Sequence, residues 1–283
     1  YKSYLIVMSS ENKLLDNLNS VQKKAVLDTE GPNLIVAGAG SGKTRVLTTK
    51  LAYIISEKRA WPNQILCVTF TNKAAREMRG RIENILEENL NQMWCGTFHG
   101  IFHKMLKIHW KEANLLKDFS VIDSEDQLRV LKRVIQAMNL DLETWQPRDT
   151  QWFINKQKDE GKRKAILNMN ATFVEEKMVY IMEEYQKTCD REGLVDFAEI
   201  LIRAYELLSK NDDLLKHYQD RFRHILVDEF QDTNFIQNKW LNLLVNKNEN
   251  ICCVGDDDQS IYSWRGAETV SYTHLTLPTK RIV

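Results

Sequence analysis

The stretch NLIVAGAGSGKT, residues 33–44, constrains this chain more than any other. It opens as an apolar run, passes through Gly38, Gly40 and Gly42, and ends in Lys43 and Thr44. A strand that turns through glycines into a helix is how a backbone wraps an oligophosphate. Glycines admit positive φ and bring N–H groups close to an anion, and the helix N-terminus adds its dipole. In this reading Ala37, Gly38, Ala39, Gly40, Ser41 and Gly42 line the phosphate loop, with Arg45 completing the nucleotide-binding set. Lys43 brings a positive charge to the β- and γ-phosphates, and the Thr44 hydroxyl ligates Mg²⁺. Ala37 stands where such loops usually carry their first glycine, outside the part that cradles phosphate.

Four further runs extend the pattern: QILCVTF (64–70), MWCGTFH (93–99), HILVDEF (224–230) and NICCVGD (250–256). Continuous apolar runs of this length predict strands covered on both faces, as in a parallel sheet. Helical patterns follow the first two strands, from Lys43 to Ser56 and from Asn72 to Leu90. The expected fold class is therefore α/β, with a mostly parallel sheet.

The alternation stops between about 110 and 194, where helical spacing alone predicts an all-α insertion. Ser124 with Gln127 reads as a capping box before Leu128, Leu131, Val134, Ile135 and Met138. Thr172 with Glu175 repeats the device and opens a helix running to Gly193, and Asp196 with Glu199 opens the next. KQKDEGKRK (156–164) is a basic run, read as a solvated loop in preference to a DNA contact. The sheet domain is then assigned residues 8–109 and 195–270. Residues 1–7 are expected to be a non-native extension, and 271–283 a non-native or disordered tail.

HILVDEFQD delivers Asp228 and Glu229 to the carboxyl end of a strand, the edge where open α/β sheets bind ligands. Asp228 suits Mg²⁺, directly or through water, and Glu229 suits a base that orients and deprotonates attacking water. Lys43, Asp228 and Glu229 together predict hydrolysis of a nucleoside triphosphate. Farther on, VGDDDQSIYSWRGA (254–267) puts acids, an amide, two aromatic rings and an arginine on one short loop.

The formal net charge is +0, so binding of any polyanion has to come from local placement of charge. Five cysteines, an odd number without a CxxC, predict reduced thiols rather than a disulfide framework and hence a cytoplasmic setting. His99 and His103 are one helical turn apart but lack the companions of a zinc site. No apolar run reaches the roughly 18–20 residues of a membrane span.

GAGSGKT, VTFTNKAAREM, GTFHG, VDEFQDTN and VGDDDQSIYSWRGA stand here in an order that resembles the superfamily 1 helicases of the UvrD/Rep/PcrA type. DSEDQLRVLKRVIQAMNL and GLVDFAEIL are similar to that family too, so the likeness covers roughly residues 12 to 268. It implies a RecA-like domain carrying a helical insertion, with ATP and Mg²⁺ as cofactors. By resemblance, Gln22 in LNSVQ contacts adenine, and Gln259 contacts the γ-phosphate or the attacking water, supported by Asp256. Tyr262 and Trp264 stack on bases of single-stranded DNA, and Arg265 lies along the same path. Phe70 offers another stacking face, with Thr71, Asn72 and Lys73 near the strand backbone, and Thr97 and His99 fall in a further DNA-contacting motif.

The implied activity is ATP-driven 3′→5′ translocation on single-stranded DNA and duplex unwinding, in DNA repair and replication. Single-stranded DNA and duplex junctions are the implied partners, with repair proteins as further candidates and no membrane. The departure from the family lies after Gly266, where no second RecA-like motif set follows. The residues present are therefore expected to bind ATP weakly and to hydrolyse it slowly if at all. Three alternatives stay open: a helicase module fused to a nuclease, a nucleotide-gated DNA-binding module that never unwinds, and a P-loop kinase or GTPase.

Overall fold

The structure is a computed structural model that describes residues 14–38, 40–163, 172–245 and 249–256, together with the backbone of 280–282. In chain order its elements are α1 (Ser20–Leu27), β1 (Asn33–Val36), α2 (Lys43–Ser56), β2 (Ile65–Thr69), α3 (Asn72–Leu86), β3 (Trp94–Thr97), α4 (Phe98–Ile108), β4 (Ser120–Ile122) and α5 (Ser124–Ala137). There follow α6 (Pro147–Asp159), α7 (Phe173–Glu192), β5 (Leu194–Asp196), α8 (Phe197–Ser209), α9 (Asp212–Arg221), β6 (His224–Val227), α10 (Phe235–Leu244), β7 (Ile251–Gly255) and β8 (Lys280–Ile282). Two compact units result: residues 1–101, 211–234 and 238–283, and residues 102–210 with 235–237.

The first unit is built on a six-stranded sheet in the order β3-β2-β6-β7-β1-β8, in which every pair is parallel. All five apolar runs supply a strand, and the α/β, RecA-like expectation holds. Leu66 pairs with Trp94, Ile65 with His224, Ile225 with Ile251 and Asn33 with Cys252. Parallel pairing puts every carboxyl end on one edge. Val26 of α1, Leu47 and Leu51 of α2, and Met78 and Ile82 of α3 close over Cys67, Leu226 and Val254 of the sheet. Trp94 meets Tyr218 and Phe222 edge-on, with ring centroids 5.9 and 5.5 Å away. Lys50, 2% exposed, ties α1 to α2: its Nζ donates to the Ala25 carbonyl at 2.9 Å and to that of Asp28, the residue capping α1. A buried ammonium is thus satisfied by the negative end of a helix.

Two expectations are corrected in this unit. The helix expected to run to Leu90 stops at Leu86, because Glu87 turns into the left-handed region at φ 55°. In the tail for which disorder was one expectation, residues 280–282 pair with Asn33, Leu34 and Ile35, covering a row of backbone groups that β1 would otherwise present as an edge.

In the second unit α5, α6 and α7 pack Leu131, Val134, Ile135, Ile154, Ile181, Met182 and Tyr185 into one core. Thr172 and Glu175 form the expected capping box, and Gly193 ends α7 at φ 67°. The cap on α5 lies one residue earlier than its sequence suggests: Asp123, not Ser124, accepts the Asp126 N–H. The stretch expected to be purely helical also contributes β4, paired in parallel with β5. Three-residue strands are too short to display a period.

The basic run is not a plain solvated loop. Lys158 is 1% exposed, and its Nζ lies 2.7 Å from Asp196 and 3.1 Å from Glu199. Arg163 and Arg203 reach the same Glu199 at 2.8 and 2.7 Å. Burial alone would raise the Glu199 carboxyl, but Lys158, Arg163 and Arg203 overcome it and hold it down at about 2. Since the folded value lies below the unfolded one, this stability is present above the ordinary carboxylate range and is lost as pH falls towards 2. Replacing Glu199 by Gln strands buried cations and is expected to cost roughly 3–5 kcal/mol at pH 7, read by urea unfolding. An unchanged midpoint would contradict the network's role.

Candidate nucleotide and nucleic-acid site

The carboxyl edge of the large sheet collects most of the described candidate residues. After β1, the Ala37 N–H donates to Gly255 O at 3.1 Å and the Ser41 N–H to Gly38 O at 3.3 Å. Gly40 and Gly42 sit at φ 73° and 88°. Gly42 is constrained twice, because a Cβ there would also come within 3.1 Å of Gln22 Nε2. The Val46 N–H bonds Gly42 O at 3.0 Å and starts α2, whose first residue is Lys43. Thr44 is half-buried beside it and Arg45 is exposed, while Ala39 lies outside the described residues. Gln22 braces the loop: its Nε2 donates to Ser41 O at 2.9 Å, and its Oε1 accepts the Asn19 N–H at 3.1 Å within the α1 capping box.

Lys43 Nζ lies 3.3 Å from Asp256 Oδ2, with both side chains nearly buried. Asp256 follows β7 directly, and its N–H donates to Gln231 Oε1 at 3.1 Å. Gln231 Nε2 in turn donates to Glu229 Oε2 at 2.7 Å. Glu229 adopts φ 50°, an uncommon value for a residue with a side chain, and its N–H turns back to Asp228 Oδ1 at 3.1 Å. That turn folds the 3₁₀ segment Phe230–Asp232 under the strand ends. Lys43, Asp256, Gln231, Glu229 and Asp228 thus form one continuous run of contacts. Gln231 is the member that sequence reasoning missed; its only signal was its place two residues after Glu229.

Burial first, and the Glu229 charge second, push the Asp228 carboxyl up to about 6, against the pull of the Glu229 N–H and Lys43. Burial and Glu229 raise Asp232 to about 6 as well, and its buried Oδ1 has no hydrogen-bond partner. Such a carboxylate is one that a dication would stabilise. The donors available for Mg²⁺, the Thr44 hydroxyl and the Asp228 carboxylate, are hard oxygens. A few such ligands plus substrate phosphates suit that ion, so the residues fit it.

The nucleic-acid candidates occupy the neighbouring stretch of the edge, after the paired strands β2 and β3. Phe70 is half-buried, and Thr71, Asn72 and Lys73 are exposed. Thr71 Oγ1 caps α3 by accepting the Ala74 N–H at 3.1 Å. The first turn of α3 contains no acid, so its N-terminus is open to a phosphate. Thr97 ends β3 and its Oγ1 accepts the Gly100 N–H at 3.2 Å, with His99 half-buried in the first turn of α4. Gln259, Tyr262, Trp264 and Arg265 lie outside the described residues.

Residues 18–278 match the UvrD/REP helicase N-terminal domain. The chain belongs to that family. It is 52% identical over 255 residues to DNA helicase II of Escherichia coli K12, covering 90% of this chain and 35% of that protein. DNA helicase II of Rickettsia typhi is 43% identical, with 92% of this chain and 40% of the relative covered. The ATP-dependent DNA helicase PcrA of Staphylococcus epidermidis is 41% identical, with 91% and 35% covered. The chain therefore spans between a third and two fifths of the length of these relatives. No helix among the described residues is long and apolar enough to cross a membrane.

Asp228 makes the site costly to fold. With a folded pKa of about 6 against an ordinary value near 4, the native protein binds more protons than the unfolded one between those pH values. Stability therefore falls as pH rises through that window. Without Mg²⁺ or nucleotide, Asp228→Asn is expected to be more stable than the parent at pH 7, by on the order of 1–3 kcal/mol, with the gain vanishing near pH 4. Urea unfolding at the two pH values measures it, and equal stability at pH 7 would contradict the cost.

Proposed function

We propose that this chain is the ATP-cleaving, DNA-gripping part of a 3′→5′ DNA helicase, turning hydrolysis into movement along single-stranded DNA. The observation that carries the reading is the contact run from Lys43 through Asp256 and Gln231 to Glu229. It connects a phosphate-binding lysine to a candidate base on the edge that also exposes the α3 N-terminus. The Staphylococcus epidermidis relative, an ATP-dependent DNA helicase, supports ATP dependence and DNA as partner.

In this mechanism the phosphate loop and Lys43 hold the triphosphate, with Gln22 bracing the loop and, by the family resemblance, contacting adenine. Mg²⁺, held by Thr44 and Asp228, would neutralise charge on the β- and γ-phosphates. Glu229 takes a proton from the water that attacks the γ-phosphorus in line with the bond to the bridging oxygen of the leaving ADP, so that ADP and phosphate are released. Gln259 senses the γ-phosphate, and Tyr262, Trp264 and Arg265 grip the strand; these four roles rest on the family resemblance. Stacking is worth about 1–3 kcal/mol per base, so small displacements of aromatic rings release and regrip a strand. Phe70, Thr71, Asn72, Lys73, Thr97 and His99 serve the same strand. Duplex junctions and repair proteins are the further partners of this reading, and DNA repair and replication its setting.

Three outcomes follow. Glu229→Gln should leave ATP affinity within about twofold and slow cleavage by roughly a hundredfold or more, as loss of a general base does; unchanged cleavage would overturn the role of Glu229. Single-stranded DNA should raise the cleavage rate or shift ATP affinity, and indifference to DNA would favour a P-loop kinase or GTPase. The 283 residues by themselves are expected to be slow beside full-length relatives, since an arginine reaching in from a second domain accelerates such reactions about 10³–10⁵-fold.

A further inference from the structure

Gln231 is a buried amide to which the hydrolysis scheme gives no task. It is 2% exposed, in the 3₁₀ turn that follows Glu229. Its two ends serve different masters: Nε2 donates to Glu229 Oε2 at 2.7 Å, and Oε1 accepts the Asp256 N–H at 3.1 Å. An amide of this length does both. A carboxylate offers acceptors alone, and an apolar side chain fills the space but makes neither bond.

Each bond has a chemical consequence. Fixing Oε2 of Glu229 sets the direction in which Oε1 presents its lone pairs to an attacking water, and alignment of that kind decides whether a base within reach is productive. Fixing the Asp256 backbone sets the carboxylate that lies 3.3 Å from Lys43. The strained turn at Glu229, φ 50°, is what brings Gln231 back under its own base. Strain that persists beside a reacting group is a mark of function.

We propose that Gln231 is a positioning residue for ATP cleavage, aiming the Glu229 carboxylate through its NH₂ group and seating Lys43 through the Asp256 backbone. This rests on the hydrolysis reading. The two bonds make separable predictions, because Gln231→Glu keeps the acceptor for Asp256 but replaces the donor to Glu229 by a second carboxyl.

The test is single-turnover cleavage of γ-labelled ATP by an excess of the full 283-residue chain, with ATP affinity measured by equilibrium titration. Gln231→Glu should slow cleavage about tenfold or more while ATP affinity stays within about twofold. Gln231→Ala should slow cleavage as well and should also weaken ATP binding about three- to tenfold, since the Asp256 N–H loses this acceptor. Parental cleavage in Gln231→Glu would overturn the proposal, as would parental rate and affinity in Gln231→Ala. Glu229→Gln separates the two ideas. If that variant cleaves ATP at the parent's rate, the hydrolysis reading itself fails; if it is slowed about a hundredfold or more while both Gln231 variants behave as the parent does, only the role of Gln231 fails.

Discussion

The pairing of Lys43 with Asp256 is the interaction on which the rest of the edge depends. It joins the loop after β1 to the end of β7, strands whose last residues, Val36 and Gly255, are register partners. Taking two charges largely out of water costs several kcal/mol per ion before their attraction is counted. A contact of this sort is therefore a poor way to stabilise a fold and a good way to set a geometry. Here it holds an ammonium where a triphosphate would need it, and ties that ammonium through Gln231 to the acid expected to activate water.

Parallel pairing does the rest. With all six strands running the same way, the phosphate loop, Asp228 with Glu229, and Asp256 emerge at the ends of β1, β6 and β7. The segments proposed to meet DNA emerge from β2 and β3, and β2 is bonded directly to β6. The segments proposed for nucleotide chemistry and for strand binding thus share one sheet edge, separated by the spacing of neighbouring strands, about 4.8 Å each. No strand lies between the one that delivers Glu229 and the one that leads to Phe70.

The parts legible in the sequence were those with local causes. Buried parallel strands read as unbroken apolar runs, which is why all five named runs supply strands of the sheet. The turn at Gly42 into the helix that begins at Lys43 was legible because glycines between an apolar run and a helical pattern mark a strand-to-helix turn. Other features depend on partners remote in the chain. Lys158 looked like solvent-facing charge because Asp196 and Glu199 lie far along the sequence. Gln231 gave no signal beyond its place two residues after Glu229, since its burial follows from an unusual backbone turn at Glu229 and from a partner at position 256. The three-residue strands β4 and β5 have no period to show, and the α5 cap moved by one residue because Asp123 and Ser124 are both good caps.

The central claim is that one edge of this sheet binds the triphosphate of ATP, and hydrogen exchange followed by mass spectrometry tests it most directly. The chain is compared with and without a slowly hydrolysed Mg²⁺–ATP analogue. Protection should appear together in the peptides covering residues 37–45, 228–232 and 251–256, and should be lost in Lys43→Ala. Protection confined to other segments, or the same protection surviving in Lys43→Ala, would contradict the account.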